Sequence, residues 1–253
     1  MDYDLNGKTA LVTGSTRGIG FACASALAKE GMRLVLFSRT EASLDSAAAQ
    51  IRRETGAHVE YVAGDMSSSG DVDKLRSRLL ELGGAPDVLV LNTGRPPLNL
   101  REVLEENDEG RWEQAFQTQL KGGVQVLSKI VPLMVAKRYG RVVAITSASV
   151  KQPMPRHGLS TVFRAGLAGY LKHLANEVAP HNVTVNSVMP ASIGTEGFLK
   201  SFEPSQRIRV IPMGRIGTPD ECAALVTFLA SKQAGFITGT SIPVDGGMIS
   251  SLT

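Results

Sequence analysis

T-G-S-T-R-G-I-G occupies residues 13–20. An apolar run at 9–12 precedes it, and from Ile19 to Leu27 apolar residues recur with helical spacing. The order is strand, tight turn, helix start. Gly14, Gly18 and Gly20 let the backbone turn sharply and come close to a ligand, because a side chain would collide there. Ser15, Thr16, Arg17 and Ile19 fill the positions between. Free N–H groups at such a helix start, with the positive end of the helix dipole, attract a phosphate. Three glycines also suit an ordinary turn, so it is the flanking strand and helix that carry a dinucleotide reading.

The rest of the chain repeats this alternation. Strand patterns lie at 9–12, 33–37, 59–62, 88–91, 141–145, 184–188 and 241–244. Most are unbroken β-branched or leucine runs, as parallel strands buried on both faces require. Helices are predicted near 19–30, 41–54, 70–82, 110–137, 161–178 and 218–230. Leu167, Leu171, Leu174 and Val178 share one helical face. Gly31, Gly56, Gly83 and Gly140 follow helices, where C-terminal caps favour glycine. Repeated strand–helix units predict an α/β fold, a doubly wound parallel sheet of about seven strands with helices on both faces. No repeat, linker or low-complexity tract divides the chain, so residues 1–253 read as one domain.

Composition narrows the function classes. Lys and Arg number 27 against 24 Asp and Glu, a net charge of +3, with both signs spread along the chain. That balance gives no reason to expect nucleic acid or an anionic membrane as partner. Cys23 and Cys222 read as buried free thiols, without metal-ligand spacing. The N-terminus is acidic rather than a signal peptide, and no apolar run reaches the ~18 residues of a membrane span. The chain reads as soluble and cytoplasmic.

Ligands on such sheets lie beyond the carboxyl ends of the strands. There the chain places Ser38-Arg39 after strand two, Asp65-Met66 after strand three and Asn92-Thr93-Gly94 after strand four. Thr146 to Ser149 follow strand five, and Pro190-Ala191, with Thr195 beyond, follow strand six. No acid stands before Arg39 to meet the ribose hydroxyls of NAD; Arg39 with Arg17 suits the 2′-phosphate of NADP. The alternative is a pair of solvated surface arginines. Any one polar cluster can be turn chemistry alone.

These features together resemble the short-chain dehydrogenase/reductase family, over essentially the whole chain. Residues 13–20 match its T-G-x-x-x-G-I-G, and Asp65 its Asp beside the adenine. L-N-T-G at 91–94 is similar to N-N-A-G with two replacements. Residues 211–221 and 237–247 look like its C-terminal blocks. The nearest branch looks like the β-ketoacyl carrier-protein reductases and the sugar or steroid dehydrogenases. The resemblance implies a Rossmann-type sheet of seven strands, a carbonyl or alcohol substrate, and a homotetramer packed through 110–137 and 161–178. It also implies an active site of Asn, Ser, Tyr and Lys. Ser147 fits the Ser; the Tyr and Lys positions fall on Ser160 and Arg164, the latter before Ala165-Gly166; the Asn position falls on Gln119. None of Tyr3, Tyr61, Tyr139 and Tyr170 begins Y-x-x-x-K.

The replacements change the chemistry. A serine hydroxyl is a far weaker acid than a phenol, and losing a positioned general acid forfeits about 10²–10⁴-fold in rate. Arg164 keeps a cation able to hold the nicotinamide ribose, and Gln119 keeps an amide on a longer arm. Ala191 puts a methyl where the family has glycine. His157, on the loop between Ser147 and Ser160, titrates near neutrality and can carry a proton; otherwise it is a solvated loop residue. No nucleophile elbow or orienting acid supports a hydrolase. Three readings stand: an NADP(H)-dependent oxidoreductase with altered proton delivery; a cofactor-binding pseudoenzyme or partner subunit; a dehydratase or isomerase in the same pocket. The segment 195–212 has the place of a substrate lid, with Phe198, Leu199 and Phe202 as its apolar residues.

Overall fold

The computed structural model describes residues 2–97 and 99–252; Met1, the first residue of the acidic start, lies outside them. In chain order the strands and helices are β1 (Thr9–Thr13), α1 (Gly18–Lys29), β2 (Arg33–Ser38), α2 (Glu41–Thr55), β3 (Val59–Ala63), α3 (Ser69–Glu81) and β4 (Val88–Asn92). There follow α4 (Glu109–Ala115), a π-helical turn (Phe116–Lys121), α5 (Gly122–Lys137), β5 (Gly140–Ile145), α6 (Gly158–Val178) and β6 (Val183–Pro190). The chain continues through α7 (Glu196–Leu199), α8 (Pro204–Ile208), α9 (Pro219–Ala230) and β7 (Ser241–Val244).

The strands form one seven-stranded sheet in the order β3-β2-β1-β4-β5-β6-β7, parallel throughout. Successive residues face opposite sides, as the two-residue period of a strand dictates. Ala10, Val12, Leu34 and Leu36 pack with Leu27 of α1, Ile51 of α2 and Val226 of α9. Leu11, Val35, Leu89 and Leu91 pack with Leu75 of α3, Ile130 of α5 and Leu167 of α6. Both faces are thus apolar, and each fully buried leucine contributes roughly 1.5–3 kcal/mol. The predicted face of α6 is buried at Leu167, Leu171 and Val178, and Ala175 completes it. Strand order reverses between β1 and β4, which opens a crevice at their carboxyl ends. No helix among the described residues is long and apolar enough to cross a membrane.

Two local expectations need correction. Gly140 does not cap a helix: Arg138, at φ 56°, closes α5, and Gly140 opens β5. Glycine stands there for space, since a Cβ would lie 2.8 Å from the Met134 sulfur. The helix expected over 110–137 is also interrupted, by the π turn. The cause is visible beside it. The Gly94 N–H donates to the Thr118 carbonyl at 3.1 Å, drawing that oxygen away from the helical ladder.

Candidate active site

The glycine turn is held by side chains on β1 and β4. The Asn92 N–H donates to Thr13 Oγ1 (2.9 Å), whose hydroxyl donates to the Asn92 carbonyl (3.0 Å). Asn92 Nδ2 donates to the Gly14 carbonyl at 3.1 Å. The turn is so tight that a Cβ on Gly20 would lie 2.2 Å from the Gly14 oxygen. Gly14 and Gly18 have φ of 57° and 58°, the region glycine enters freely. Ile19 packs on the core, and the Ser15 hydroxyl is fully buried with no hydrogen-bond partner among the described residues. A buried hydroxyl of this kind calls for a partner from outside the chain. Arg17 and Arg39 are exposed, and neither makes an ion pair among the described residues.

Beyond this turn, Ser38 ends β2 and Asp65 lies two residues past the end of β3, with the Gly64 N–H donating to the Ser38 carbonyl at 2.9 Å. Asp65 Oδ1 accepts from the Ser67 N–H (2.8 Å) and hydroxyl (2.7 Å). Gln125 of α5 donates to the carbonyls of Met66 and Ser67. Pro190 closes β6, and Thr195 packs on the glycine turn, its methyl 3.2 Å from where a Gly18 Cβ would lie. The polar strand ends therefore converge on one crevice. Bare backbone, an orphaned hydroxyl and unpaired arginines fit a phosphate-bearing dinucleotide.

The other half of the crevice is organised by Arg164. Its Nε donates to Gln119 Oε1 (3.0 Å), Nη1 to the Thr146 carbonyl and Nη2 to the Gly94 carbonyl (3.3 Å). The guanidinium thus ties the ends of β4 and β5 together, one residue from Ser147. Burial, and Arg95 nearby, pull its pKa down to about 10, so it stays a cation at neutral pH. Gln119 is fully buried, and its Nε2 has no partner among the described residues. Ser147 Oγ accepts from the N–H (3.2 Å) and hydroxyl (3.0 Å) of Ser149, leaving its own O–H to donate elsewhere. Ser160 is buried at 6% exposure, one helical turn before Arg164 on α6.

His157 stands at the start of α6. Its Nδ1 is 2.8 Å from the Pro155 carbonyl, which can only accept, so Nδ1 carries the hydrogen and Nε2 is an acceptor. Burial first, then Arg207, Arg156 and Arg164, hold its pKa below the ordinary imidazole value. His157 is therefore neutral near pH 7. The two cysteines are both buried; burial pushes the Cys222 thiol up to about 12, and neither takes part in the site.

One site residue has no counterpart in the sequence reading. Arg95, next after Gly94, donates from Nη2 to Thr195 Oγ1 at 3.0 Å. A Cβ on Gly197 would lie 2.5 Å from its Nη1, so that glycine makes room for it. The signal was a cation directly following a strand end.

Comparison with known proteins agrees with this geometry. The family profile described as Enoyl-(Acyl carrier protein) reductase matches residues 14–249. The 3-oxoacyl-[acyl-carrier-protein] reductase FabG of Aquifex aeolicus is 36% identical over 253 residues, 98% of this chain and 100% of that protein. The Dehydrogenase/reductase SDR family member 4 of Bos taurus is 34% identical over 254 residues, 98% and 89%. Among solved structures, L-sorbose reductase from Gluconobacter frateurii, complexed with NADPH and L-sorbose, superposes with a TM-score of 0.91 at 30% identity, covering 100% of both chains. YwfH, an NADPH dependent reductase involved in bacilysin biosynthesis, superposes at 0.90 with 29% identity, covering 98% of this chain and 100% of that one.

Proposed function

Since the chain belongs to the short-chain dehydrogenase/reductase family, we propose that it is an NADP(H)-preferring reductase of a small carbonyl compound, working without a tyrosine acid. One observation carries the reading. Arg164 hangs between the ends of β4 and β5 beside Ser147, a fixed cation where a carbonyl oxygen would gain charge.

The residues that would hold NADPH are those of the glycine turn, with Arg17 and Arg39 at its 2′-phosphate, Asp65 and Met66 at the adenine, and Pro190 and Thr195 near the nicotinamide. When bound, NADPH supplies the hydride. The Ser147 hydroxyl donates to the substrate oxygen. Arg164, which has N–H donors beyond those bonded to protein, stabilises the charge growing there. Ser160 supplies no proton at neutral pH, and His157 is neutral with an acceptor nitrogen. Water admitted beside Ser160 therefore delivers the proton, and the buried Gln119 Nε2 is the donor free to order it.

A pseudoenzyme is the second reading, favoured by the same arginine: its bonds to two backbone carbonyls give Arg164 a structural task that needs no turnover. Single-turnover NADPH oxidation with activated ketones separates the two. Reduction that falls on Arg164→Met, with NADPH affinity kept, supports the reductase. Tight NADPH binding with no oxidation of any ketone supports the pseudoenzyme.

One domain spanning 1–253 and a homotetramer through α5 and α6 complete the proposal. The half-buried edge strand β7 and the fully exposed Phe236 support self-association. Light scattering at micromolar concentration that gives the 26.9 kDa of one chain would count against it.

A further inference from the structure

The reductase reading leaves a group of cations unexplained. Arg156 has a φ of 61°, in the left-handed region that side chains other than glycine rarely adopt. Strain of this kind persists where surrounding structure imposes it, commonly at ligand sites. Arg156, His157 and Ser160 border one small cavity, closed by Pro97 and Leu100. From the lid side, α8 brings Arg207, its Cζ 4.7 Å from the Phe202 ring centroid. That ring lies 6.4 Å from the His157 imidazole and nearly parallel to it, at 19°. Phe198 lies 5.2 Å from Phe202 on the same segment.

Arg156 and Arg207 thus approach His157 from two elements, and neither makes an ion pair among the described residues. Burial first, and then the charge of Arg156, disfavour the Arg207 cation. The acid on the cavity, Glu106, does not neutralise them. Arg111 grips it through Nε (2.5 Å) and Nη2 (2.9 Å), and Arg101 stands at 3.8 Å. In the lid, Glu203 accepts from the Ser205 hydroxyl. Like charges held close together are unfavourable until an anion joins them.

We propose that Arg156 and Arg207 form the recognition site for an anionic group on the substrate, a carboxylate or a phosphate, while its carbonyl meets Ser147 and Arg164. Guanidinium forks suit either anion, because both offer paired oxygens. Phe198, Phe202 and Pro97 flank the apolar part of the same molecule. This inference rests on the reductase reading only for the position of the carbonyl.

Calorimetry on the full chain, saturated with NADPH, tests it with 2-oxohexanoate, its methyl ester and hexyl phosphate. At least one anion binds about tenfold or more tighter than the ester, as a charged hydrogen bond implies. Which anion it is distinguishes carboxylate from phosphate. Arg156→Gln and Arg207→Gln each reverse most of that advantage and leave ester and NADPH affinity unchanged. Lysine at either position keeps part of it, and serves if a glutamine variant is unstable. Ester bound as tightly as both anions, no anion binding, or full anion affinity in the double variant would overturn the proposal. Anion binding at these arginines with no ketone reduced would remove the reductase reading and leave the anion site standing.

Discussion

The two ends of the crevice are built by different means. At the glycine turn the working surface is backbone, and side chains such as Thr13 and Asn92 bond only to hold it in shape. At the head of α6 the working surface is side chains: Arg164 is held by Gln119 and by carbonyls at the ends of two strands. A backbone site tolerates almost no change at its glycines. A side-chain site can be rebuilt residue by residue while the fold beneath it stays. That contrast is what the proposed reading needs, in which the dinucleotide turn is kept while Gln119, Ser160 and Arg164 stand at rebuilt catalytic positions.

The contrast breaks most severely at Gly20. A Cβ there must displace the Gly14 carbonyl, 2.2 Å away. Gly20→Ala is expected to abolish NADPH binding in calorimetry and to lower stability to urea by about 1–3 kcal/mol. Retained NADPH affinity would mean that the turn is not the phosphate site. The side-chain end should respond in the opposite sense. Ser160→Tyr with Arg164→Lys returns the family's acid and is expected to raise single-turnover ketone reduction by up to ~10²-fold. A wild type already as fast as the double variant would refute water as the proton source.

Arg39→Asp probes the far end of the same cofactor. Exchanging a cation for an anion is expected to weaken NADPH by about tenfold or more and to spare NADH. Equal affinities for both cofactors in the wild type would remove the NADP preference. The smallest effect belongs to His157. Its pKa lies below the unfolded value because of burial and the arginines around it. As pH falls below about 6.5, the unfolded chain takes up a proton that the folded chain resists, so stability drops with acidification. His157→Gln is expected to reduce the loss in urea midpoint between about pH 7.5 and 5.5. A variant with the wild type's pH slope would show that His157 is not desolvated.

How far the sequence spoke depended on whether a feature was local. The strands were readable because both faces of the central sheet are covered, so most strands are continuous apolar runs, and the structure moves their ends by only a residue or two. Ser147 and Ser160 stood out only through the family resemblance, which counts from one position to the other along the chain. The Arg164–Gln119 bond joins residues 45 apart through their side chains, and no periodicity encodes it. The π turn escaped notice for the same reason, since its cause is a hydrogen bond from Gly94 on another element. Arg95 was legible as a residue but not as part of the site. A cation after a strand end gains meaning only when Thr195 and Gly197 arrive from far along the chain.

The lacing of two strand ends through Arg164 makes the history of this site directional. Lysine carries a point charge and cannot reproduce a fork that reaches Gln119, Thr146 and Gly94 at once. A lineage that regained lysine first would loosen the crevice before any tyrosine could use it. One that regained tyrosine first would meet a guanidinium already committed to the backbone. On the proposed reading each single step is expected to be poor and only the pair good, because the three bonds of Arg164 are lost with its fork. An arginine laced in this way is therefore expected to give way to lysine only together with its neighbours.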